Sequence, residues 1–282
     1  ITKRTLTLSN FTADNKEYDE TTNVTGTGFS DDRLSGDKLE FSFDTAFVDK
    51  NIGTNKTVNY TNITISGGQD KDNYLLTAVN GQTNADISKK SLTVIADDND
   101  KYAGVFDPPF SVSYEGFVGD DGSEELVGPL IITRQTGEDV GQYDIRVLPI
   151  LSSLNYNITY QNGTFTINAR ELHVANATAE DKTYDANTNC TIVGAEIAED
   201  LADGVDVSLV ISGSFADKNV GQDKTVELTA SLAGSEAGNY SLAELDNLTA
   251  NINQKELTIE NAVAEDKEYD GTTEAVISNA EI

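Results

Sequence analysis

The side chains best suited to chemistry in this sequence are carboxylates, which gather in short clusters at regular intervals along the chain. The clustered acids are Asp97, Asp98, Asp100, Glu180, Asp181, Glu265 and Asp266. Carboxylate oxygens are the ligands that Ca²⁺ takes in proteins, so a calcium ion at these positions is one interpretation. The other is a solvated acidic surface, because no cluster has the Asp-x-Asp-x-Asp-Gly spacing with a distal Glu. We predict no cofactor, with calcium as the alternative.

Nucleophiles and general bases are scarce in this chain, which has one His, His173, and one Cys, Cys190. A lone His with no partner nucleophile in register predicts a solvated surface residue rather than a catalytic base. Cys190 stands where corresponding segments have Val24 and Ala275, which predicts a small buried hydrophobe. The sequence also has no Gly-x-Ser-x-Gly, no His-Glu-x-x-His and no phosphate-cradling Gly loop, so we predict that it is not an enzyme.

The net charge excludes several classes of partner. Lys and Arg number 19 against 48 Asp and Glu, which gives −29 over 282 residues. Such a chain repels phosphate backbones and anionic lipid surfaces, so we predict no nucleic-acid binding. One Cys excludes an internal disulfide framework, and no apolar run approaches the ~20 residues of a spanning helix, so no membrane insertion is expected. Without an initiator Met or a signal peptide, the sequence is expected to be a segment of a longer protein.

An internal repeat organises the chain. Four segments resemble one another: Ile1–Leu8, Ile87–Val94, Ile167–Val174 and Ile252–Ile259. Their spacing corresponds to a period of roughly 84 residues. We predict repeat 1 at 1–86, repeat 2 at 87–166, repeat 3 at 167–251 and a partial repeat 4 at 252–282.

Three further markers keep a constant order within the repeats. One is Lys-x-Tyr-Asp, in which Tyr can bury its ring and Asp can cap the following turn. Another is an Asp-Lys-Asn-x-Gly turn, whose Gly is expected to have a positive φ. The last is an Asn-Tyr pair at 73–74, 155–156 and 239–240. The architectural residues predicted from the first two markers are Tyr18, Asp19, Tyr102, Tyr184, Asp185, Tyr269, Asp270, Gly53, Gly141 and Gly221.

The segments between these markers predict β-strands. Residues 39–43, 58–65 and 205–211 alternate apolar and polar side chains, or nearly so, as in a sheet with one buried face. Asn-Gly and Gly-Gly pairs mark the turns, and no long helical stripe occurs. The sequence predicts a mainly β fold, an elongated tandem array of β-sandwich or β-grasp-like domains. Because no Gly/Ser-rich linker separates the repeats, each is expected to contact its neighbours in a stiff array.

The sequence resembles two repeat families of large bacterial surface proteins. Lys267-Glu-Tyr-Asp-Gly-Thr-Thr273 resembles the YDG-type repeat, and repeats 1 and 3 are similar, with drift after the Asp. In repeat 2, Phe106-Asp-Pro-Pro-Phe110 and Gly137-Glu-Asp-Val-Gly-Gln-Tyr143 resemble the MBG-type module. The resemblance implies β-rich domains strung in tandem in secreted or surface-anchored, adhesin-like proteins. It supplies no catalytic or ligand-binding residues.

These observations favour a non-catalytic segment of a bacterial surface protein, an extended stalk or adhesive repeat array located extracellularly. One alternative is a module that binds a surface glycan or host protein through repeat 2, at Pro108–Pro109 and the loop 119–125. The other is a self-assembling filament or surface-layer subunit. The sequence leaves open whether the partial fourth repeat packs on repeat 3 or adds a strand to the sheet of another chain.

Overall fold

The computed structural model describes all residues from 1 to 282 and contains strands, turns and no α-helix. The predicted mainly β fold is confirmed. Helical backbone is limited to three 3₁₀ turns at Lys71–Asn73, Ser123–Glu125 and Ala237–Asn239. None of the helical segments has the length and apolarity needed to cross a membrane.

Repeat 1 is built on a four-stranded sheet in the order β3-β8-β6-β5. Its strands are β1 (Arg4–Leu6), β2 (Leu8–Thr12), β3 (Lys16–Glu17), β4 (Gly28–Asp31), β5 (Glu40–Phe47), β6 (Gly53–Gly67), β7 (Tyr74–Leu76) and β8 (Gly81–Ser88). Strand β3 runs parallel to β8, whereas β6 is antiparallel to both β5 and β8. Two smaller sheets, β1 with β7 and β2 with β4, complete the repeat.

Aromatic rings fill the interior of repeat 1. Phe29 and Tyr60 stand at its centre, with Phe11 4.9 Å and Phe43 5.4 Å from the Tyr60 ring between centroids. The Tyr60 hydroxyl donates to the Thr12 carbonyl and accepts a 2.7 Å hydrogen bond from the Gly28 N–H. The phenol therefore ties β2 and β4 to β6 while its ring stays in the core.

Repeat 2 consists of a three-stranded sheet, β11-β9-β14, and a four-stranded sheet, β10-β15-β13-β12. Its strands are β9 (Lys90–Ala96), β10 (Asn99–Tyr102), β11 (Val112–Glu115), β12 (Ile132–Arg134), β13 (Gly141–Val147), β14 (Tyr156–Gln161) and β15 (Gly163–Asn168). Buried side chains alternate along β9 and β15, as the period-2 pattern requires.

Repeat 3 repeats the plan of repeat 1 with a five-stranded sheet, β19-β26-β24-β23-β20. Its strands are β16 (Arg170–Leu172), β17 (Val174–Ala175), β18 (Thr178–Ala179), β19 (Lys182–Thr183), β20 (Asn189–Cys190), β21 (Ile192–Val193), β22 (Glu196–Ile197), β23 (Ser208–Phe215), β24 (Gly221–Ala233), β25 (Tyr240–Leu242) and β26 (Leu248–Asn253). The parallel pair β16 and β25 matches β1 and β7 of repeat 1. The residues after β26 form one small hairpin, β27 (Val263–Ala264) with β28 (Ile277–Ser278).

The chain divides into two compact units. The first comprises 1–101, 106–137 and 141–166, and therefore holds repeat 1 together with most of repeat 2. The second comprises 102–105, 138–140 and 167–282. The contacts between repeats that are described below each lie inside one of these units.

Candidate functional site

The Lys-x-Tyr-Asp element folds into a turn that is held by its lysine. In repeat 1 the Lys16 Nζ lies 2.6 Å from the Asp19 carboxylate and 2.8 Å from the Thr21 carbonyl oxygen. The Thr21 N–H donates to the same Asp19 oxygen at 2.9 Å, which closes an Asx turn. The ammonium and the Thr21 N–H hold the pKa of the Asp19 carboxyl below its usual range, although partial burial opposes them. The predicted capping role of Asp19 is observed.

The same turn recurs wherever the motif is present. Its ammonium-to-carboxylate distances are 2.8 Å for Lys182 with Asp185 and 3.0 Å for Lys267 with Asp270. The residue after the Asp has a positive φ in all three copies: 65° at Glu20, 67° at Ala186 and 78° at Gly271. This is the left-handed region in which a side chain is strained and glycine is not. The drift away from glycine at 20 and 186 therefore leaves the turn intact but strained.

The tyrosines of the motif differ in burial. Tyr18 is 1% exposed, Tyr184 is half-buried, and Tyr102 and Tyr269 are exposed. The prediction that the ring is buried is thus wrong for Tyr102 and Tyr269. Tyr18 is buried because repeat 2 covers it: its ring meets the Tyr156 ring edge-on, with centroids 5.5 Å apart. Tyr269 has no such cover, since the residues around it are exposed.

The hydroxyl of Tyr18 is buried without a hydrogen-bond partner. Tyr156, by contrast, donates to the Asp121 carboxylate at 2.6 Å and accepts from the Val118 N–H at 3.1 Å. Burial first, and then the Asp121 carboxylate, raises the pKa of both phenols above the usual value near 10. Both phenols are therefore neutral at pH 7 inside the joint between repeats 1 and 2.

Glu20 links the two repeats through its side chain. Its carboxylate lies 3.1 Å from the Lys50 Nζ and accepts a 2.7 Å hydrogen bond from the Asp120 N–H of repeat 2. These two donors hold the pKa of the Glu20 carboxyl below its usual range. The loop 119–125, named above for the alternative of a ligand-binding repeat 2, therefore contacts repeat 1 through the Asp120 N–H. Sequence reasoning missed this role because it depends on the left-handed backbone that aims Glu20 across the joint.

An asparagine makes a second set of contacts at this joint. Asn155, the first residue of the Asn-Tyr marker, is 3% exposed. Its Oδ1 accepts from the Ile52 N–H at 3.2 Å, and its Nδ2 donates to the Asn51 Oδ1 at 3.2 Å. The Asp-Lys-Asn-x-Gly turn of repeat 1 thus docks on the Asn-Tyr marker of repeat 2.

The same pairing occurs inside the second compact unit. Asn239 accepts from the Val140 N–H at 2.9 Å and donates to the Asp139 carboxylate at 3.1 Å. Val140 corresponds to Ile52, and Asp139 corresponds to Asn51. The Asn-Tyr marker was recognised in the sequence, but its partner was not, because the two markers lie about 100 residues apart.

The prediction of a positive φ for the turn glycines is wrong. Gly53, Gly141 and Gly221 have ordinary φ values, and the left-handed residues lie two positions later, at Asn55 and Asp223. A Cβ on Gly53 would come within 2.9 Å of the Lys56 side chain, and one on Gly221 within 3.1 Å of Lys224. Glycine is therefore needed for the close passage of a lysine stem, whose ammonium binds Asp49 in repeat 1 and Asp217 in repeat 3.

The acidic clusters do not come together as a metal site, since no group of three or more Asp, Glu, His or Cys is placed to hold an ion. Several of their carboxylates have structural partners: Asp97 accepts from Ser111, Asp98 from the Thr164 N–H, and Asp181 from the Asn251 N–H. Asp98 and Asp100 line an open depression on repeat 2. Glu180, Glu265 and Asp266 lie in or beside the short strands that open repeats 3 and 4. Calcium at the joints stays a prediction.

The single His and Cys take the surroundings predicted for them. His173 is exposed, and its Nδ1 lies 2.6 Å from the Glu199 carboxylate, which raises the pKa of the imidazole. Cys190 is buried with Phe215, Val226 and Ile252 in the core of repeat 3. Burial raises the pKa of its thiol.

Family models account for most of the chain. The model described as "YDG domain" matches residues 2–84 and 168–247, which together exceed half of the sequence. The chain belongs to the YDG domain family. A second model, "MBG domain (YGX type)", matches residues 92–166 between the two YDG domains. The lysine-held turns of the two matched regions read Tyr-Asp-Glu at 18–20 and Tyr-Asp-Ala at 184–186, and Tyr-Asp-Gly occurs at 269–271, outside both.

Solved structures and curated sequences add little. The crystal structure of Drosophila N-cadherin EC1-4 matches 89% of this chain and 75% of its own at 9% identity and a TM-score of 0.23. A similarity of that size carries no argument about the YDG chain. No curated protein matches it.

The left-handed residue of the YDG turn generates a stability prediction. Ala186→Gly is expected to stabilise repeat 3 by about 0.5–1 kcal/mol, because it relieves the φ of 67° at an exposed position. Urea unfolding of the whole chain measures the change. Ala202→Gly, in a loop without that φ, is the matched control and is expected to lose stability. An unchanged midpoint for Ala186→Gly would contradict the proposed strain.

The buried phenol of the first YDG domain generates a pH prediction. A phenol whose pKa is raised by folding contributes stability that is constant below pH ~10 and is lost as the pH rises above it. Tyr18→Phe is therefore expected to flatten the fall in melting temperature between pH 9 and 11.5. At pH 7 it is expected to keep or raise stability, since its hydroxyl makes no hydrogen bond. Tyr114→Phe controls for loss of a hydroxyl in the same core, and equal slopes for Tyr18→Phe and the unmodified chain would refute the prediction.

Proposed function

We propose that this chain is a non-catalytic segment of a bacterial surface protein that acts outside the cell as an extended, adhesive repeat array. The observation that carries the proposal is the shared core of repeats 1 and 2. Tyr18 and Tyr60 of the first repeat and Leu92 and Tyr156 of the second belong to one buried cluster. Repeats that share a core cannot swing about a tether, so an array of them holds a terminal binding region at a fixed distance.

The charge and the repetition support the same proposal. A net charge of −29, spread over the repeats, keeps an array soluble and opposes its collapse. Identical weak contacts repeated along an array add to useful avidity, because each later contact is made at high effective concentration. An array on a bacterial surface would use both its solubility in the extended form and its avidity.

Small-angle scattering tests the extended array. A compact chain of 282 residues would have a radius of gyration of about 19 Å, and the proposed array is expected to exceed about 30 Å. The joint variant Glu20→Ala with Asn155→Ala is expected to broaden the distance distribution, because it removes the side-chain hydrogen bonds that Glu20 and Asn155 make between repeats 1 and 2. Gln82→Ala, at an exposed position of repeat 1, is the matched control. A compact profile for the unmodified chain would exclude the stalk.

One surface favours a second function, a binding module centred on repeat 2. Its exposed aliphatic side chains are Val127, Leu130, Ile131, Leu148, Ile150 and Leu154. They are neighbours because Val127 pairs with Ser152 and the Leu148 N–H donates to the Ile131 carbonyl at 3.0 Å. A contiguous exposed apolar patch marks a contact surface, and an aliphatic one suits a protein partner. We therefore propose this patch, rather than the loop 119–125, as the binding surface of repeat 2.

A surface-protein array screen tests this second function. The chain is expected to bind a protein target selectively, and Ile150→Asp is expected to reduce that binding at least tenfold by placing a charge in the patch. Val210→Asp changes an equally exposed aliphatic residue of repeat 3 and is expected to have no effect. Equal loss with both variants would show that the patch is not the contact surface.

A further inference from the structure

The contact between consecutive repeats has one recurring chemical form. At each of the two internal joints, the Oδ1 of an Asn accepts a hydrogen bond from the backbone N–H of the residue that precedes a turn Gly. The same amide donates to the oxygen of the side chain one position earlier, Asn51 in one joint and Asp139 in the other. Two occurrences with the same atoms define a docking interaction between two faces. We call the Asn of the Asn-Tyr marker the acceptor face, because it accepts the backbone N–H, and we call the turn that supplies this N–H the donor face.

Each face also occurs once without its partner. Asn73, the counterpart of Asn155 and Asn239, is exposed beside the buried ring of Tyr74. The turn at residues 217–221 is the counterpart of residues 49–53, and its Val220 is 46% exposed. One free acceptor face and one free donor face are therefore present in the same chain.

Both free faces are already shaped for docking. The Asn219 N–H donates to Asp217 at 2.8 Å, as the Asn51 N–H donates to Asp49 at 2.9 Å in the docked turn. The Tyr74 hydroxyl accepts from the Leu34 N–H at 3.0 Å and donates to Asp37 at 2.6 Å. That arrangement matches the docked Tyr156, which accepts from Val118 and donates to Asp121. Little conformational entropy is lost when preformed faces meet.

We propose that the Asn73 face of repeat 1 is a docking surface for the 217–221 turn of a second copy of this chain. The Val220 N–H then donates to the Asn73 Oδ1, and the Asn73 Nδ2 donates to the Asn219 Oδ1. Because both partners are neutral amides, this pair adds no contact between carboxylates, which matters in a chain of charge −29.

The rest of the joint is reproduced in part. Tyr184, which is half-buried, takes the place of Tyr18 and meets Tyr74 as Tyr18 meets Tyr156. Ala186 stands where Glu20 makes its contacts with Lys50 and the Asp120 N–H. The docked pair is therefore weaker than the joint of repeats 1 and 2, and it forms most readily when the two copies are connected.

The repeat period shows where two copies of the chain can be joined into one polypeptide. Ile252 corresponds to Ile1, so residues 1–251 followed directly by a second copy, 1–282, continue the chain in the register in which Ile87 follows repeat 1. This duplicated chain brings the two faces together in the geometry of the internal joints. It keeps repeats 1 to 3 in both copies and tests docking without reliance on a high protein concentration.

Residue-resolved hydrogen exchange of the Val220 amide in the duplicated chain tests the proposal. The single chain is expected to show one fast-exchanging Val220 amide. The duplicated chain is expected to show two populations of equal size, one of them slowed at least about fivefold by the new hydrogen bond. Asn73→Ala in the second copy is expected to return both to the fast rate, whereas Gln82→Ala in that copy keeps the two populations. One fast population in the duplicated chain, or two that survive Asn73→Ala, would overturn the proposal.

Discussion

The short connection between consecutive strands is the constraint on which the first compact unit depends. Strand β8 ends at Ser88 and β9 begins at Lys90, so only Lys89 separates the last strand of repeat 1 from the first of repeat 2. Its ammonium lies 2.7 Å from the Ser153 carbonyl oxygen, which fixes the connector on repeat 2. With no slack in the chain, the Asn-Tyr marker must meet the turn at 49–53. The short connector and the shared core together hold repeats 1 and 2 against each other.

The side chains that are capable of chemistry serve the architecture of these repeats. Lysines bind the aspartates of Asx turns, asparagines bind backbone at the joints, and phenols bind loop N–H groups. Such pairs are local or repeated, and they give a chain poor in hydrophobic residues a set of fixed points. The functions proposed for this chain accordingly rest on surfaces, namely the faces at the joints and the aliphatic patch of repeat 2.

The sequence predicted the features that depend on periodicity. Alternation along β9 and β15 identified strands, and the recurrence of Lys-x-Tyr-Asp identified the turn that Lys16 and Asp19 form. What failed depends on side-chain contacts that neither periodicity nor a motif reports. Gly53 is glycine because Lys56 passes over it, and no propensity for positive φ is involved. The burial of Tyr18 and the exposure of Tyr269 differ because only the first is covered by another repeat, which a motif cannot report.

The turn at residues 267–272 has a consequence for the order of folding. It keeps the ammonium, carboxylate and N–H contacts of its counterparts with only the small hairpin of β27 and β28 around it. By contrast, β1 pairs with β7 across about 70 residues, so closing that pair carries a large loop entropy. In repeats 1, 3 and 4 this turn uses only residues close in sequence, so it is expected to form before a sheet that needs both ends of a repeat.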